Sequence, residues 1–259
     1  MKNKKHPLRL FLFTSLLLCL LTGLTGIARS PRQVEAAPQL QSVYPPSVVI
    51  SEFRTRGSAG ADDEFIEIFN ASNNSVTLNN WVLRKSSGCG TTLSDIATIN
   101  TTIPSGGYYL VAKNPGFTGT ADLTYSTTIS DDGGIALING ASIIDQVGMC
   151  NTTTFKEGTT LAPLTTDVNQ SYERKIPGEI RNCTDTNNNV ADFVRNASSS
   201  NPQTSASPAV PCLYVTNVDS TTADGTYNTA GTPIDITVTF SGIVFADNGS
   251  LLLETGVTD

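Results

Sequence analysis

The chain has 259 residues, with 16 Lys and Arg, 23 Asp and Glu, and a formal net charge of −7. An acidic surface repels phosphate backbones, so we expect no nucleic acid to bind through a basic face. Thr, Ser, Asn and Gly are frequent and helical periodicity is hard to find, which indicates strands joined by polar turns. The length is sufficient for one or two hydrophobic cores.

Residues 1–36 have the layout of a secretory signal peptide. Basic residues precede an apolar run at 11–27, and the small residues Ala36 and Ala37 follow it. An uncleaved anchor is the alternative, but the run falls just short of the roughly 20 residues that span a bilayer. We therefore expect export, cleavage and no membrane contact afterwards. Residues 1–36 hold six of the 16 basic and one of the 23 acidic residues, which leaves ten and 22, a net charge of −12.

After an entry linker at 37–46, the pattern predicts short strands. In residues 65–69 the odd-numbered side chains point to one face and the even-numbered side chains to the other. The first predicted strands cover residues 47–53, 64–70, 76–78 and 81–87, with a Gly-containing loop at 54–63 and an Asn/Ser turn at 71–75.

Residues typical of turns recur along the chain up to residue 148. Asn139-Gly140 is a two-residue hairpin turn of the primed type. The further elements are a turn at 104–107, a strand at 108–112, a turn at 131–134, a strand at 135–138 and a returning strand at 142–148. Many short strands with frequent turns predict an all-β sandwich.

Residues 196–212 are rich in Ser, Pro and Asn, and this composition predicts a linker that buries no core. A second β-rich segment follows at 213–259.

Four cysteines remain after cleavage of the signal peptide, and an even count in an exported chain predicts two disulfides. Three pairings are possible. We favour Cys89–Cys150 and Cys183–Cys212, because the first pair lies within one predicted domain and the second brackets its C-terminal margin. A zinc site is disfavoured, because there is no CxxC and the sole histidine, His6, belongs to the signal peptide.

Five motifs in a fixed order carry a family resemblance. They are "VVISEF" (48–53), "DEFIEIFNASNNSVTLNNWVLR" (63–84), "IPSGGYYLVAKNPGF" (103–117), "DDGGIALING" (131–140) and "IIDQVG" (143–148). This series resembles the lamin tail domain of bacterial exported proteins, with "NQSYERK" (169–175) as an extension. The resemblance implies an immunoglobulin-like β-sandwich, placed here at 47–195, and a binding or architectural role without a catalytic site.

Residues 213–259 resemble the first half of an immunoglobulin- or cadherin-like repeat of large bacterial surface proteins. A sandwich of this kind needs about 100 residues. The segment is too short to close one, so we expect an incomplete second β-sandwich and a native polypeptide that continues.

An acidic cluster, Asp62, Asp63, Glu64 and Glu67, with Glu52 nearby in sequence, is a candidate Ca²⁺ site because calcium prefers several oxygen ligands. On a regular strand, however, Glu64 and Glu67 leave opposite faces and cannot share one ion without a bulge. We therefore predict solvated loop and strand-edge groups that discourage edge-to-edge aggregation. Glu52 and Glu67 recur in the family-like strands and are candidates for structural hydrogen bonds.

Residues 185–193, "DTNNNVADF", begin like a calcium loop. Val190 stands where the turn glycine belongs, and Asn196 stands where the bidentate Glu belongs. We predict an Asn-rich turn, no metal ligands and no cofactor. A calcium-stabilised module stays open as a hypothesis, and it predicts a higher unfolding temperature in the presence of Ca²⁺.

No catalytic residue is predicted. Without histidine, nucleophile activation by Ser-His or Cys-His pairs is lost, and no spacing selects a carboxylate pair.

Trp81 opens a strand and is predicted to pack in the core rather than to bind sugar. Tyr108 and Tyr109 leave opposite faces of one strand, so at most one is predicted to pack inside while the other makes surface contacts.

These features predict a non-catalytic extracellular or cell-surface module for binding, adhesion or structure. Its expected partner is an extracellular protein or a polysaccharide. The alternative is an N-terminal accessory or targeting part of a larger secreted hydrolase, of the nuclease or phosphoesterase type, with its catalytic domain beyond residue 259.

Overall fold

The computed structural model describes residues 48–175, 183, 185–213, 215–221 and 235–241. The predicted signal peptide and the linker at 37–46 lie outside the described residues. All described residues belong to one compact unit, Ser42–Leu251. Among them, no helix is long and apolar enough to cross a bilayer.

The elements are almost entirely strands. In chain order they are β1 (Val49–Arg54), β2 (Phe65–Phe69), β3 (Val76–Ser86), β4 (Leu93–Ile103), β5 (Tyr108–Lys113), β6 (Leu123–Tyr125), β7 (Gly134–Asn139), β8 (Ser142–Gly148), β9 (Ser171–Arg174), α1 (Asn189–Asp192), β10 (Phe193–Asn196), β11 (Val215–Ser220) and β12 (Ile236–Phe240). A six-stranded sheet has the order β10-β9-β1-β2-β5-β6, and a four-stranded sheet has the order β4-β3-β7-β8. The β5–β6 pair is parallel, and the other pairs in these two sheets are antiparallel.

The main core lies between these two sheets. Every second side chain along β2 points into this core, and Ile66 and Ile68 are fully buried there. Trp81 of β3 is 6% exposed and belongs to the same core, as the sequence predicts. The all-β sandwich predicted from strand and turn patterns is confirmed.

Residues 76–86 form one continuous strand rather than the two short strands predicted. The ladder between β3 and β4 is irregular between Leu78 and Trp81, and Asn80 has a left-handed φ of 54°. The polar Asn79-Asn80 pair therefore marks a β-bulge inside a strand, not a break between strands. Strands β4, β6, β9 and β10 were not predicted.

The β7–β8 hairpin forms as expected, but its turn lies one residue later than predicted. Asn139 pairs with Ser142, so the two loop residues are Gly140 and Ala141. Gly140 has a φ of 60°, which suits glycine at the first central position of a primed turn.

Of residues 196–212, predicted as a linker, Asn196 ends β10, and residues 199–212 lie along the outer face of the six-stranded sheet. We call residues 199–212 the C-terminal strap. Its backbone is hydrogen-bonded to this part of the fold, since Gln203 N donates to Glu67 Oε2 at 2.5 Å and Val210 N donates to Gly106 O at 2.8 Å. The strap ends at Cys212, which is 5% exposed and packs in a second apolar cluster with Val49, Phe69, Ala71 and Tyr108. Composition alone misses this docking, because the strap binds mainly through hydrogen bonds to buried polar groups.

The described part of residues 213–259 is a two-stranded antiparallel sheet of β11 and β12. The remainder of the predicted second repeat lies outside the described residues.

Candidate functional site

The acidic stretch at 62–67 is mostly buried, so the prediction of solvated acids is wrong for three of its four members. Asp63 and Glu64 are fully buried and Glu67 is 1% exposed, whereas the Asp62 side chain is 62% exposed. The physical reason is the position of β2, which lies between β1 and β5 in the middle of its sheet. A central strand covered on both faces needs no edge protection, and its acids must find partners inside.

Asp62 and Glu64 share Lys113, whose Nζ lies 3.6 Å from Glu64 Oε1, whereas Asp63 and Glu67 have separate partners, so the four acids form no common site. Asp63 pairs with Arg54, whose Nε also donates to the Asp63 carbonyl oxygen at 2.9 Å. The Lys113 ammonium is bonded to Asp62.

Glu64 lies between the two sheets at the start of β2. Both its carboxylate oxygens accept from Ile129 N at 3.1 Å, and Tyr125 OH donates to Oε2 at 3.0 Å. Burial raises the pKa of Glu64 to about 7, against the lowering effects of these bonds and of the Lys113 ammonium. This carboxyl group can therefore change its charge near neutral pH inside the sandwich.

Glu67 and Glu52 lie on the outer face beneath the C-terminal strap. Ser51 Oγ lies 2.5 Å from Glu67 Oε1, and Ser200 Oγ donates to Glu52 Oε1 at 3.0 Å. Burial raises the pKa of Glu67 to about 8, and it also raises the pKa of Glu52. The structural hydrogen-bonding role expected for these two residues is thus realised by holding the strap.

Tyr108 and Tyr109 both pack against apolar clusters, so the prediction that at most one of them packs inside is wrong. Tyr108 is 3% exposed, and its ring centroid lies 5.0 Å from that of Phe69 in the cluster that Cys212 covers. Tyr109 is partly buried against the main core. The strap accounts for the difference, because it covers a face that the sequence pattern leaves open.

A groove opens on the outer face beside the strap, with a volume of about 290 Å³. Its described lining is mostly polar. The lining residues come from β1, β5, the loop after β5, the segment before β9 and the strap. They are Arg54, Leu110, Phe117, Thr118, Gly119, Thr120, Asn169, Ser200, Asn201 and Pro202.

Arg54 is the charged residue of this described lining. Its Nη1 donates to Asn169 Oδ1 at 3.0 Å, and its guanidinium carbon lies 5.5 Å from the Phe117 ring centroid. With Asp63 on its other side, Arg54 is held rigidly and already neutralised. The groove therefore offers fixed amides, hydroxyls and an aromatic ring rather than an acid and a base.

A second group of acids surrounds Arg174, away from the groove lining. Arg174 is fully buried, and its Nη2 lies 2.6 Å from Asp145 Oδ2. Carboxylate oxygens of Asp145, Glu157 and Asp185 all lie within 4.8 Å of one another. Asp185 belongs to the predicted Asn-rich turn, which leads into α1 with Asn188 as its N-cap.

Sequence reasoning did not identify Asp145 or Glu157. Asp145 stands in the sequence only as part of a family-like strand, and Glu157 lies in a stretch without a regular pattern. Since their distances in sequence from Asp185 match no ligand spacing, the sequence holds no signal that would have joined them.

The two disulfides join the cysteines that the sequence analysis paired. Cys89 is bonded to Cys150, and Cys183 is bonded to Cys212. The second bond fastens the end of the C-terminal strap.

Comparison with known proteins places the chain in a family. The family model described as Lamin Tail Domain matches residues 41–198, which is more than half of the chain. That family has an immunoglobulin-like fold and generally serves as a non-catalytic binding or structural module. A search of curated proteins finds no match. The chain therefore belongs to the lamin tail domain family.

Proposed function

We propose that the chain is an extracellular, non-catalytic binding module that holds a short neutral carbohydrate segment in the outer-face groove. The observation that carries this proposal is the groove lining, in which the charged Arg54 is already paired with Asp63. General acid–base chemistry needs a free proton donor or acceptor within reach of the ligand, and the described lining supplies none.

The chemistry of the lining favours a carbohydrate. Thr118 and Thr120 offer hydroxyls and Asn201 offers an amide, which can each donate and accept hydrogen bonds as sugar hydroxyls do. Ser200 Oγ, which donates to Glu52, can still accept, and the Asn169 amide nitrogen can still donate. Phe117 adds an apolar surface on which a sugar ring can pack.

The volume of the groove and the net charge of the chain restrict the class of ligand further. A volume of about 290 Å³ is at the low end for small-ligand sites and suits one or two sugar units. A protein partner usually covers about 800 Å² on each side, far more than this groove provides. The net charge of −7 disfavours an anionic polymer.

An extracellular location is supported by the two disulfides, which persist in oxidising compartments and are rare in the cytosol. The expected signal peptide at 1–36 points the same way.

The test is a titration of the full chain with neutral oligosaccharides of hexoses and N-acetylhexosamines, in which binding is monitored by NMR chemical-shift changes. We expect shifts in groove residues and binding that weakens about tenfold in Thr120→Ala and Asn201→Ala, since each loses a ligand hydrogen bond. Thr77→Ala on β3 of the other sheet is the matched control and should bind as the wild type does. Absence of binding across the panel, or equal loss in the control, would refute the proposal.

A further inference from the structure

Among the described residues, the cluster around Arg174 has more acidic groups than this one cation can neutralise. Besides Asp145, the Arg174 Nη1 atom lies 3.6 Å from Asp185 Oδ1 and 3.7 Å from Asp192 Oδ2. Glu157 is a fourth carboxyl group beside them. One guanidinium thus faces four carboxyl groups in a site that is largely closed to water.

Glu157 is the member whose carboxyl group has an unsatisfied oxygen among the described residues. The residue is 9% exposed, and its Oε2 atom is buried and accepts no hydrogen bond from the part of the chain that the structure describes. Its backbone is fixed on both sides, because Glu157 N donates to Asn189 Oδ1 and Asn189 N donates to Glu157 O, each at 3.0 Å. A buried carboxylate oxygen without a donor is costly and rare in folded proteins. The side chain is therefore held toward a position that a further cation would satisfy.

The spacing of the oxygens suits calcium. The three ligand atoms of Asp145, Glu157 and Asp185 lie within 4.8 Å of one another. Two oxygens on opposite sides of a Ca²⁺ ion lie about 4.6–5.2 Å apart, since each Ca–O distance is roughly 2.3–2.6 Å, so oxygens that lie within 4.8 Å of one another can contact one such ion. We propose that Asp145, Glu157 and Asp185 form a Ca²⁺-binding site.

The remaining groups leave room for this role. Asp192 accepts from Thr186 N at 3.0 Å and from Thr186 Oγ1 at 2.7 Å, so it serves the turn rather than the ion. Arg174 Nε donates to Ile50 O at 3.0 Å, which keeps the guanidinium on the β1 side of Asp145. With the ion bound, one Ca²⁺ and one guanidinium balance three of the four carboxylates.

The site would join three separate parts of the fold. Asp145 lies in β8 of the four-stranded sheet, and its Oδ2 accepts from Ile50 N of β1 in the other sheet at 2.6 Å. Glu157 and Asp185 lie in the irregular segments that follow β8 and precede α1. Calcium would thus fasten these two segments to the junction of the sheets, and none of its ligands lines the groove of the proposed function.

The experiment uses the full chain with both disulfides intact, stripped with EDTA and titrated with CaCl₂ by calorimetry. We expect one Ca²⁺ per chain and an unfolding temperature that rises with added Ca²⁺. Glu157→Gln and Asp185→Asn keep the side-chain shape but remove a ligand charge, and each should weaken binding by about tenfold or more. Asp95→Asn, an exposed acid on β4, is the matched control and should bind as the wild type does.

Two results would overturn the proposal. The first is the absence of both heat and a thermal shift at millimolar Ca²⁺ in the wild type. The second is wild-type affinity in both Glu157→Gln and Asp185→Asn, with circular dichroism showing that each variant is folded. Loss of calcium binding alone would leave the carbohydrate titration unchanged, so failure of either proposal is recognised separately.

Discussion

Replacing Glu67 by Gln tests how the buried acid holds the strap. The pKa of Glu67 is raised from 4.5 to about 8 by burial, despite hydrogen bonds from Ser51 and Gln203. The unfolded chain therefore loses this proton at lower pH than the folded chain does, and folding stability falls as pH rises from about 4.5 to about 8. At 1.36 kcal/mol for each pKa unit, this single group removes about 5 kcal/mol across that window.

The amide that Glu67→Gln introduces reproduces the protonated acid, because its oxygen can accept from Gln203 N and its nitrogen can donate to Ser51 Oγ. We expect Glu67→Gln to match the wild type within about 1 kcal/mol at pH 5 and to exceed it by several kcal/mol at pH 9. The assay is urea unfolding at both pH values, with disulfides intact, and the stability difference between variant and wild type is compared.

Glu173→Gln on β9, where the side chain is only half-buried, is the matched control. It removes a neighbouring charge but keeps the buried acid, so most of the pH dependence should persist. A difference between Glu67→Gln and wild type that stays constant from pH 5 to pH 9 would refute the reasoning.

Three further changes test the interior and the strap. Arg174→Met leaves buried carboxylates without their cation and should lower the free energy of unfolding by about 3–5 kcal/mol in urea titrations; a loss below about 1 kcal/mol would contradict this. Removing the Cys183–Cys212 bond, which closes a separation of 29 residues, should cost about 4 kcal/mol by its effect on the unfolded chain, and an unchanged melting temperature would argue against it. Gly106→Ala places a Cβ 2.3 Å from Pro211 N at a φ of 68°, so we expect faster limited proteolysis within 199–212, and wild-type cleavage rates would disprove the contact.

Local periodicity is sufficient to predict much of the sandwich. The alternation in residues 65–69 predicts two faces correctly, because side-chain direction in a strand depends only on the period of two. Trp81 is predicted in the core because it opens a strand of the family-like motif, and it does lie there. The hairpin turn at Asn139-Gly140 is predicted to within one residue. Such features depend on nearest neighbours along the chain.

The burial and the partners of the acidic residues cannot be predicted from local periodicity. Glu67 is buried because β1 and β5 flank its strand and because Gln203, 136 residues later, covers it. The cluster at Arg174 likewise joins residues that no motif connects.

By itself, the sequence determined an all-β chain with two faces to each strand, its family and a set of four cysteines suited to two bonds. The tertiary structure alone decided which polar residues are buried, where the strap lies and which carboxylates meet. The physical reason is that strand periodicity is a local property of the backbone, whereas burial and ionisation depend on segments far away in sequence that remove water from a group.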